Sequence, residues 1–401
     1  MKKWMYTGMK LAVCAMLLCL FALPACAEEA KDITDDCKIT VSVYAQDKKN
    51  MLDNANLTMW ETPKRSSYVE VETPKGQPAQ GIYVKWGQNP LDVIIQVPGE
   101  EKGEWVDVQT CTEKYQNQYI AFEKPLTHFR MQTAEKKVVM GIIKFQVLGE
   151  GKLPDWVQVW KPFEGKADLM VLVAHPDDEL LYMGGVIPYY NTVEGKNVIV
   201  VYVARMGGFR KVELLDGMWH CGLRSYPEMP STKFKDQGFN GRNECLNVWG
   251  KDKLLSHVTE LIRKYQPDVI VTHDVNGEYG HGAHKACSWA VQQCVELAAN
   301  EKKYKDSAAE YGPWQVKKAY IHLYEGKLGQ IDFDWRQPMD AFQGKTIHDI
   351  TKEAFALHKT QAASGRFVVE DFGPYDNSLF GLFYSTVGPD TGVNDLFENI
   401  H

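Results

Sequence analysis

The sequence predicts a mixed α/β protein in which a jelly-roll β-sandwich precedes a Rossmann-like domain. That second domain is expected to have a mostly parallel sheet with helices on both faces. Three observations support this division. The chain has 401 residues, enough for two or three domains. Short strand-like runs without helical periodicity fill residues 38–150. Over residues 166–400, apolar strand-like runs alternate with helical stretches, which is typical of βαβ units.

The first 27 residues have the pattern of a secretory signal peptide. Lys2, Lys3 and Lys10 give a positive start, and the apolar run Leu11–Leu23 is short for a membrane-spanning helix. The segment Ala25-Cys26-Ala27 then resembles a cleavage site. We therefore expect an exported protein, located in a periplasm, outside the cell or on its surface. Lipoprotein anchoring at Cys26 is the alternative.

Composition excludes several classes of protein. Hydrophobic residues make up 44% and charged residues 24%, which is ordinary for a folded globular chain. The net charge is −7, and no dense basic run follows the first residues, so nucleic-acid binding is not expected. The part after residue 27 has no apolar run approaching 18 residues, so no transmembrane segment is expected there. Composition leaves the oligomeric state open.

Eight short strands are expected in the first domain, separated by polar turns that contain Gly and Pro. They are Ile39–Ala45, Tyr68–Glu72, Gly81–Trp86, Asp92–Val97, Trp105–Thr110, Tyr119–Glu123, His128–Gln132 and Val138–Leu148. The segment Leu52–Trp60 and the last of these strands resemble discoidin-type, galactose-binding-like modules. That resemblance implies a carbohydrate-binding module, and a purely structural sandwich is the alternative.

Two side-chain expectations belong to this domain. Trp60 and Trp86 are the aromatic residues that would stack on a sugar if they lie on exposed loops. Cys37 and Cys111 could form a disulfide, because an exported chain permits one.

The Pro- and Trp-bearing segment Lys152–Phe163 is expected to link the two domains. After it, four buried strands and three helical stretches alternate. The strands are Leu169–Ala174, Asn197–Ala204, Pro267–Thr272 and Lys318–Tyr324, and the helices extend to about Asn191, over Arg242–Tyr265 and over Ala283–Leu297. A right-handed βαβ arrangement of these elements gives a parallel sheet covered on both faces.

The first chemically distinctive cluster follows the first strand of the second domain. It reads Ala174-His175-Pro176-Asp177-Asp178-Glu179. Pro and acidic residues favour a helix start, which accounts for much of the motif. His175 at the strand end has no such explanation. Ligands of open α/β sheets bind at the carboxyl ends of strands, where this cluster is predicted to lie.

The second cluster also follows a predicted strand and opens a helix. It contains three histidines within 12 residues, His273, His281 and His284, together with Glu278 and Tyr279. His281 and His284 are three apart, so both can project from one face of the start of a helix.

Together the two clusters contain what a catalytic zinc site requires. Zinc takes imidazole and carboxylate ligands, usually three from the protein, and keeps one position open. His175, Asp178 and His284 are the expected ligands of Zn²⁺ or another divalent metal, with Asp177 as general base. His281 and Tyr279 would face the developing oxyanion.

These motifs resemble those of the PIG-L/LmbE-like family of zinc-dependent de-N-acetylases. A third matching region contains Gly381-Leu382, Val387–Asp390 and Asn394–Asn399, so the resemblance covers about residues 166–400. The resemblance implies that His175, Asp178 and His284 bind the metal and that Asp177 is the base. These are the roles already expected from the chemistry of these residues. The substrate it implies is an N-acetylated sugar or glycoconjugate of the GlcNAc type.

Two further positions bear on this resemblance. The family usually has Pro-Asp between the two histidines of H-x-x-H, whereas this chain has Gly282-Ala283. His281 is therefore expected either to titrate lower or to be oriented by Asp274 or Glu278. Arg210 matches a family position near the substrate pocket.

The sequence therefore predicts an exported, zinc-dependent N-deacetylase. Two alternatives remain open: a glycan-binding surface protein with a degenerate hydrolase domain, and a zinc amidase that acts on substrates other than sugars.

Overall fold

The computed structural model describes residues 28–370 and 373–401. The predicted signal peptide, including Cys26, lies outside the described residues. Among the described residues, no helix is both long and apolar enough to cross a membrane.

The first part of the chain forms two antiparallel sheets packed face to face. Its nine strands are β1 Lys38–Val41, β2 Trp60–Glu61, β3 Tyr68–Glu72, β4 Ala79–Trp86, β5 Val93–Pro98, β6 Trp105–Cys111, β7 Asn117–Leu126, β8 His128–Thr133 and β9 Gly141–Gly149. The four-stranded sheet has the order β2-β9-β4-β7 and the five-stranded sheet the order β1-β3-β8-β5-β6. The predicted β-sandwich is thus confirmed.

The two tryptophans predicted to contact a sugar lie in the core of the sandwich. Trp60 and Trp86 are both fully buried between the sheets, so neither can stack on a sugar. Cys37 and Cys111 are both free thiols, so the predicted disulfide is absent.

The first predicted strand is shorter than expected. It ends at Val41, and a 3-10 helix over Ala45–Met51 begins at the last residue of the predicted range.

The second part of the chain is built on a six-stranded sheet. Its strands are β10 Leu169–Val173, β11 Val198–Tyr202, β12 Val269–Thr272, β13 Lys318–His322, β14 Gln330–Asp332 and β15 Leu379–Ser385. The order is β11-β10-β12-β13-β15-β14; the first four strands are parallel, and β15 pairs antiparallel with both β13 and β14. The expected mostly parallel sheet is confirmed, with two further strands at one end that the sequence does not predict.

Helices cover both faces of this sheet, as expected. They are α1 Asp178–Leu181, α2 Val186–Pro188, α3 Gly208–His220, α4 Arg242–Trp249, α5 Lys251–Tyr265, α6 Gly282–Ala299, α7 Lys305–Tyr311, α8 Ile347–Ala356 and α9 Lys359–Ala362. Side chains along β10 alternate between two apolar clusters. Leu169, Val171 and Val173 pack on one face of the sheet, and Met170 and Leu172 pack on the other.

Two predicted helices are broken in the structure. The expected helix over Arg242–Tyr265 is interrupted at Gly250, whose φ of 81° is compatible with glycine but unfavourable for other residues. The first predicted helix ends at Leu181 and continues only after Gly184 and Gly185. A Cβ at Gly184 would lie 2.1 Å from Thr351, so the close approach of α8 requires glycine there.

The linker and α3 join the two parts of the molecule. Asp216 on α3 binds Lys85 of β4 at 2.7 Å, Asn117 of β7 at 3.1 Å and Gln158 of the linker at 2.6 Å. The Trp160 indole donates to Gln158 at 2.9 Å and is almost fully buried. The segment predicted as a linker is therefore packed against both domains.

Candidate active site

The two polar clusters meet at one edge of the six-stranded sheet. His175 and Asp178 follow β10, and His284 lies in the first turn of α6, after β12. Strands β10 and β12 are parallel neighbours, so their carboxyl ends open at the same place. All three side chains are at most 5% exposed.

The separations of the donor atoms fit a small divalent ion. His175 Nδ1 lies 3.0 Å from Asp178 Oδ2 and 3.3 Å from His284 Nε2. His284 Nε2 lies 3.3 Å from Asp178 Oδ1. Tetrahedral ligands about 2.1 Å from zinc are about 3.4 Å apart, close to these values. The structure thus brings together the three residues predicted as metal ligands.

The charge balance also suits a cation. Burial alone would raise the pKa of Asp178, but His284 and His175 lower it well below its ordinary value. Burial opposes ionisation of Glu278 in the same way, and His273 in particular holds its pKa well below the usual range. An ionised carboxylate beside two imidazoles is a donor set that divalent metals bind, and the Glu278 carboxylate adds a second negative charge behind it.

Glu278 is surrounded by three imidazole rings. Its carboxylate lies 2.7 Å from His273 Nδ1, 2.8 Å from His284 Nδ1 and 2.8 Å from His322 Nδ1, and it is fully buried. Because His284 Nδ1 faces Glu278, its Nε2 is left to face the ligand position. A carboxylate behind a ligating histidine fixes the tautomer and orientation of that ring.

Asp177 lies beside the ligand set without belonging to it. It precedes α1 with a φ of 111°, a strained conformation for a residue with a side chain. Its backbone N–H donates to Glu179 at 2.8 Å, and its carboxylate lies 2.7 Å from Arg210 Nη2. Burial raises the pKa of Asp177, although Arg210 opposes this effect. A buried carboxylate of raised pKa is suited to accept and return a proton.

Comparison with known proteins identifies the family of this part of the chain. Residues 170–295 match the family described as PIG-L: GlcNAc-PI de-N-acetylase. This part of the chain is a PIG-L family domain. The predicted resemblance is thereby confirmed, and the chain carries a domain of a family described by hydrolysis of an N-acetyl amide.

Three individual proteins illustrate the similarities. A 1D-myo-inositol 2-acetamido-2-deoxy-alpha-D-glucopyranoside deacetylase from Rhodococcus jostii is 27% identical over 48% of this chain and 81% of its own length. The N,N'-diacetylchitobiose deacetylase of Pyrococcus horikoshii is 16% identical, with a TM-score of 0.38 over 49% of this chain and 71% of its own. An F5/8 type C domain from Bacteroides fragilis is 20% identical, with a TM-score of 0.25 over 32% of this chain and 100% of its own.

Tyr279 and His281 lie at the open side of the cluster formed by the three predicted ligands and Asp177, which is called the PIG-L site. The Tyr279 ring is 40% exposed and lies 5.5 Å from the His281 ring and 5.3 Å from the His284 ring, between centroids. His281 Nδ1 accepts a hydrogen bond from Ala283 N at 3.2 Å, so in the neutral ring the proton is on Nε2. Burial, together with His284 and His175, lowers the pKa of His281 to about 4.

The carboxylate nearest to His281 is not one of those suggested by the sequence. Asp236 Oδ2 lies 3.6 Å from His281 Nε2 and 3.1 Å from His175 Nε2, whereas Glu278 orients His284. Burial would raise the pKa of Asp236, but His175 lowers it to about 2. Asp236 was missed because it lies in an irregular segment outside both motifs, and the sequence contains no local signal for it.

Arg210, expected near the substrate pocket, contacts Asp177. Its guanidinium binds the Asp177 carboxylate and donates to the Pro176 carbonyl. His322 is buried and bound both to Glu278 and to the Asp376 carbonyl at 2.9 Å. The PIG-L site therefore rests on supporting residues distributed over much of the α/β domain.

Proposed function

We propose that this protein is a metal-dependent hydrolase that removes the N-acetyl group from a GlcNAc-type sugar or glycoconjugate and releases acetate. The observation that carries the proposal is the convergence of His175, Asp178 and His284 to within 3.3 Å, with Asp177 beside them. Two similar proteins support the substrate class, since one is named for a 2-acetamido-2-deoxyglucopyranoside and the other for diacetylchitobiose.

Zinc is the proposed metal. Two imidazole nitrogens and one carboxylate oxygen are a common ligand set of catalytic zinc. A divalent ion held by His175, Asp178 and His284 would lower the pKa of a water molecule and polarise the amide carbonyl of the substrate.

The residues of the chain then account for the proton transfers. Asp177 accepts the proton of the attacking water, because it is buried, adjacent to the ligands and has a raised pKa. Arg210 holds this carboxylate in position at 2.7 Å. Protonated Asp177 returns the proton to the leaving amine, so that the sugar departs with a free amino group.

His281 and Tyr279 are proposed to stabilise the tetrahedral oxyanion. With Nδ1 occupied by Ala283 N–H, the neutral His281 ring has its Nε2–H available as a donor. The Tyr279 hydroxyl is a second donor on the same open side. Loss of one such donor costs about 3–4 kcal/mol of transition-state stabilisation in comparable sites.

A substrate screen on the purified full-length protein tests the proposal. Metal content is measured by elemental analysis, and acetate release is measured with GlcNAc, chitooligosaccharides, peptidoglycan fragments and glycolipid headgroups. We expect about one equivalent of zinc and acetate release from at least one N-acetyl sugar. Zinc without activity on any sugar but with activity on other amides would indicate an amidase. Absence of bound metal after supplementation would indicate a degenerate domain.

Export is also proposed, on the strength of the N-terminal sequence. Lys2, Lys3 and Lys10, the apolar run Leu11–Leu23 and the small residues around Cys26 are the support for it. N-terminal sequencing of the mature protein should begin at Glu28. A lipid-modified Cys26 as the first residue would establish the lipoprotein alternative, and an intact Met1 in cell extracts would contradict export.

A further inference from the structure

A groove of about 720 Å³ lies where the β-sandwich meets the α/β domain, away from the PIG-L site. One wall is the outward face of β4 and β9. The other walls come from the linker, from the C-terminal end of α3 and from the segments around α8 and α9. Because α3 carries Arg210 near its start and Asp216, Trp219 and His220 of the groove in its second half, the groove and the PIG-L site are separated by about 9–15 Å along one helix.

The floor of this groove carries two lysines directly opposite each other. Lys85 of β4 pairs in register with Lys144 of β9, and each is only 8% exposed. Like charges facing each other across a sheet are destabilising. Asp216 neutralises Lys85 at 2.7 Å. Lys144 has no carboxylate partner among the described residues and binds only the Asp53 carbonyl at 2.7 Å and the Asn54 amide oxygen at 2.5 Å.

Two further cations line the groove without a carboxylate partner in the described part of the chain. Lys359 Nζ approaches the carbonyls of Asn54 and Ala55 at 3.4 and 3.5 Å. Arg224 donates only to backbone carbonyls and lies 3.9 Å over the ring of Trp219. Burial lowers the pKa of Lys144; the nearby Asp32 and Asp53 oppose this effect, whereas Lys85 and Lys359 add to it. The groove lining thus carries five Lys or Arg side chains against two carboxylates, Asp155 and Asp216, in a chain whose net charge is −7.

The same groove presents an exposed aromatic ring. Trp156 is 43% exposed and packs edge-on against Tyr83, with 5.8 Å between ring centroids. Polar side chains such as Gln146, Gln343 and Asn56 also line the walls. A flat apolar ring beside hydrogen-bonding amides and ammonium groups is suited to a ligand that combines a sugar ring with negative charge.

We propose that this groove binds an anionic saccharide. A sugar ring packs on Trp156, and a carboxylate, sulfate or phosphate group of the same saccharide is held by Lys144, Lys359 and Arg224. Lys144, the lysine of the sheet that lacks a carboxylate partner in the described part of the chain, then has a role in binding. This inference goes beyond the proposed deacetylation and does not require it, since binding is independent of turnover.

Calorimetric titration of the zinc-loaded full-length protein tests the inference, with Asp177→Asn present in every sample to prevent hydrolysis. The probes are an oligogalacturonate, a sulfated oligosaccharide and a phosphorylated oligosaccharide, with neutral chitotriose and inorganic phosphate for comparison. We expect at least one anionic oligosaccharide to bind more tightly than either comparison ligand, and its affinity to fall with salt. Trp156→Ala and Lys359→Gln should each weaken binding at least about fivefold.

The control variant is Lys136→Gln, an exposed lysine in a turn of the sandwich outside the groove, and it should bind like the parent protein. Both groove variants change partly or fully exposed side chains, so the test does not depend on Lys144, whose replacement could disturb the sheet. Failure of all three anionic oligosaccharides to bind overturns the proposal. Equal binding of chitotriose or inorganic phosphate, or unchanged affinity in Trp156→Ala and Lys359→Gln, overturns it as well.

Discussion

Asp177 and Asp178 are neighbours in the chain but have different surroundings at the residue scale. Asp178 lies 3.0 Å from His175 Nδ1 and is a proposed metal ligand, whereas Asp177 is held by Arg210. We predict that Asp177→Asn keeps most of the bound metal and lowers acetate release by about 10²–10⁴-fold, because it removes a proton acceptor. Asp178→Asn should instead lose metal. Elemental analysis and an acetate assay on both variants check this prediction.

Asp35→Asn, at an exposed position of the sandwich, serves as the matched control and should change neither property. Equal loss of metal from Asp177→Asn and Asp178→Asn would mean that the two roles have been assigned wrongly.

Glu278 supports His284 from behind and is not itself a proposed ligand. Glu278→Gln keeps the shape of the side chain but removes the charge that orients three imidazole rings. We predict a metal affinity about 10–100-fold weaker, as is usual for residues behind a ligand. Competition with a chelator of known affinity measures the change. Glu301→Gln, an exposed substitution, is the control, and an unchanged affinity in Glu278→Gln would refute the supporting role.

His257 provides a pH-dependent contribution to stability away from the site. Burial lowers its pKa to about 4, and Lys233 adds to the effect while Glu228 opposes it. The unfolded chain binds a proton near pH 6.5, whereas the folded chain does so only near pH 4. The free energy of unfolding should therefore fall as the pH drops from about 6.5 to about 4.

Replacing His257 with Gln should flatten this part of the stability profile, which urea unfolding at several pH values would measure. His401→Gln, at an exposed position, should leave the profile unchanged. A slope that persists in full in His257→Gln would show that other groups cause it.

The meeting of the candidate side chains is predictable where they lie next to strand ends. His175 and Asp178 follow one strand and His284 follows another strand of the same sheet, so their positions predict that they come together. Asp236 and His322 reach the same region from distant segments and are placed by tertiary packing. No short pattern in the sequence could identify them.

At the scale of single elements, α3 depends on the sandwich for its anchoring. Lys85 and Asp216 are only 10% and 12% exposed in their side chains, and Asn117 and Gln158 also donate to Asp216. Asp216→Ala leaves the Lys85 ammonium buried without its partner, so we predict a loss of about 3–5 kcal/mol in the free energy of unfolding. Chemical denaturation measures it.

The matched control is the exposed pair between Lys38 and Glu72, whose atoms lie 2.6 Å apart. Glu72→Ala should cost at most about 1 kcal/mol, because solvent screens this pair. Comparable losses in the two variants would indicate that Asp216 contributes no more than a surface ion pair.

Strands and helices are predictable from the sequence where one hydrophobic pattern extends over the whole element. The β10 and β11 strands are continuous apolar runs, which are typical of strands buried on both faces. Strands β14 and β15 escape prediction because the first is three residues long and the second contains Gly381 and three aromatic or polar positions that are only partly buried. The break between α4 and α5 depends on one backbone angle, the φ of Gly250, within an otherwise helical stretch. The hydrophobic pattern therefore does not predict it.

At the scale of the whole molecule, the sandwich has a core of its own. Its buried cluster includes Trp60, Trp86, Phe129 and Phe145 and draws on no residue of the α/β domain. We predict that residues 28–151 fold alone and melt in a single cooperative transition. Calorimetry and circular dichroism of this fragment check the prediction, and a fragment without a cooperative transition would contradict it.

The packed linker has a consequence for any long substrate that occupies both the groove and the PIG-L site. Because Gln158 accepts from Asn117 of the sandwich at 3.0 Å and donates to Asp216 of α3 at 2.6 Å, the linker ties the two domains together, and we expect the two sites to keep one distance and orientation. A polymer seated in the groove would present only those N-acetyl groups that lie at one spacing from the bound charge. Deacetylation along such a polymer would then follow a regular pattern, with the charged sugar selecting which neighbour loses its acetyl group.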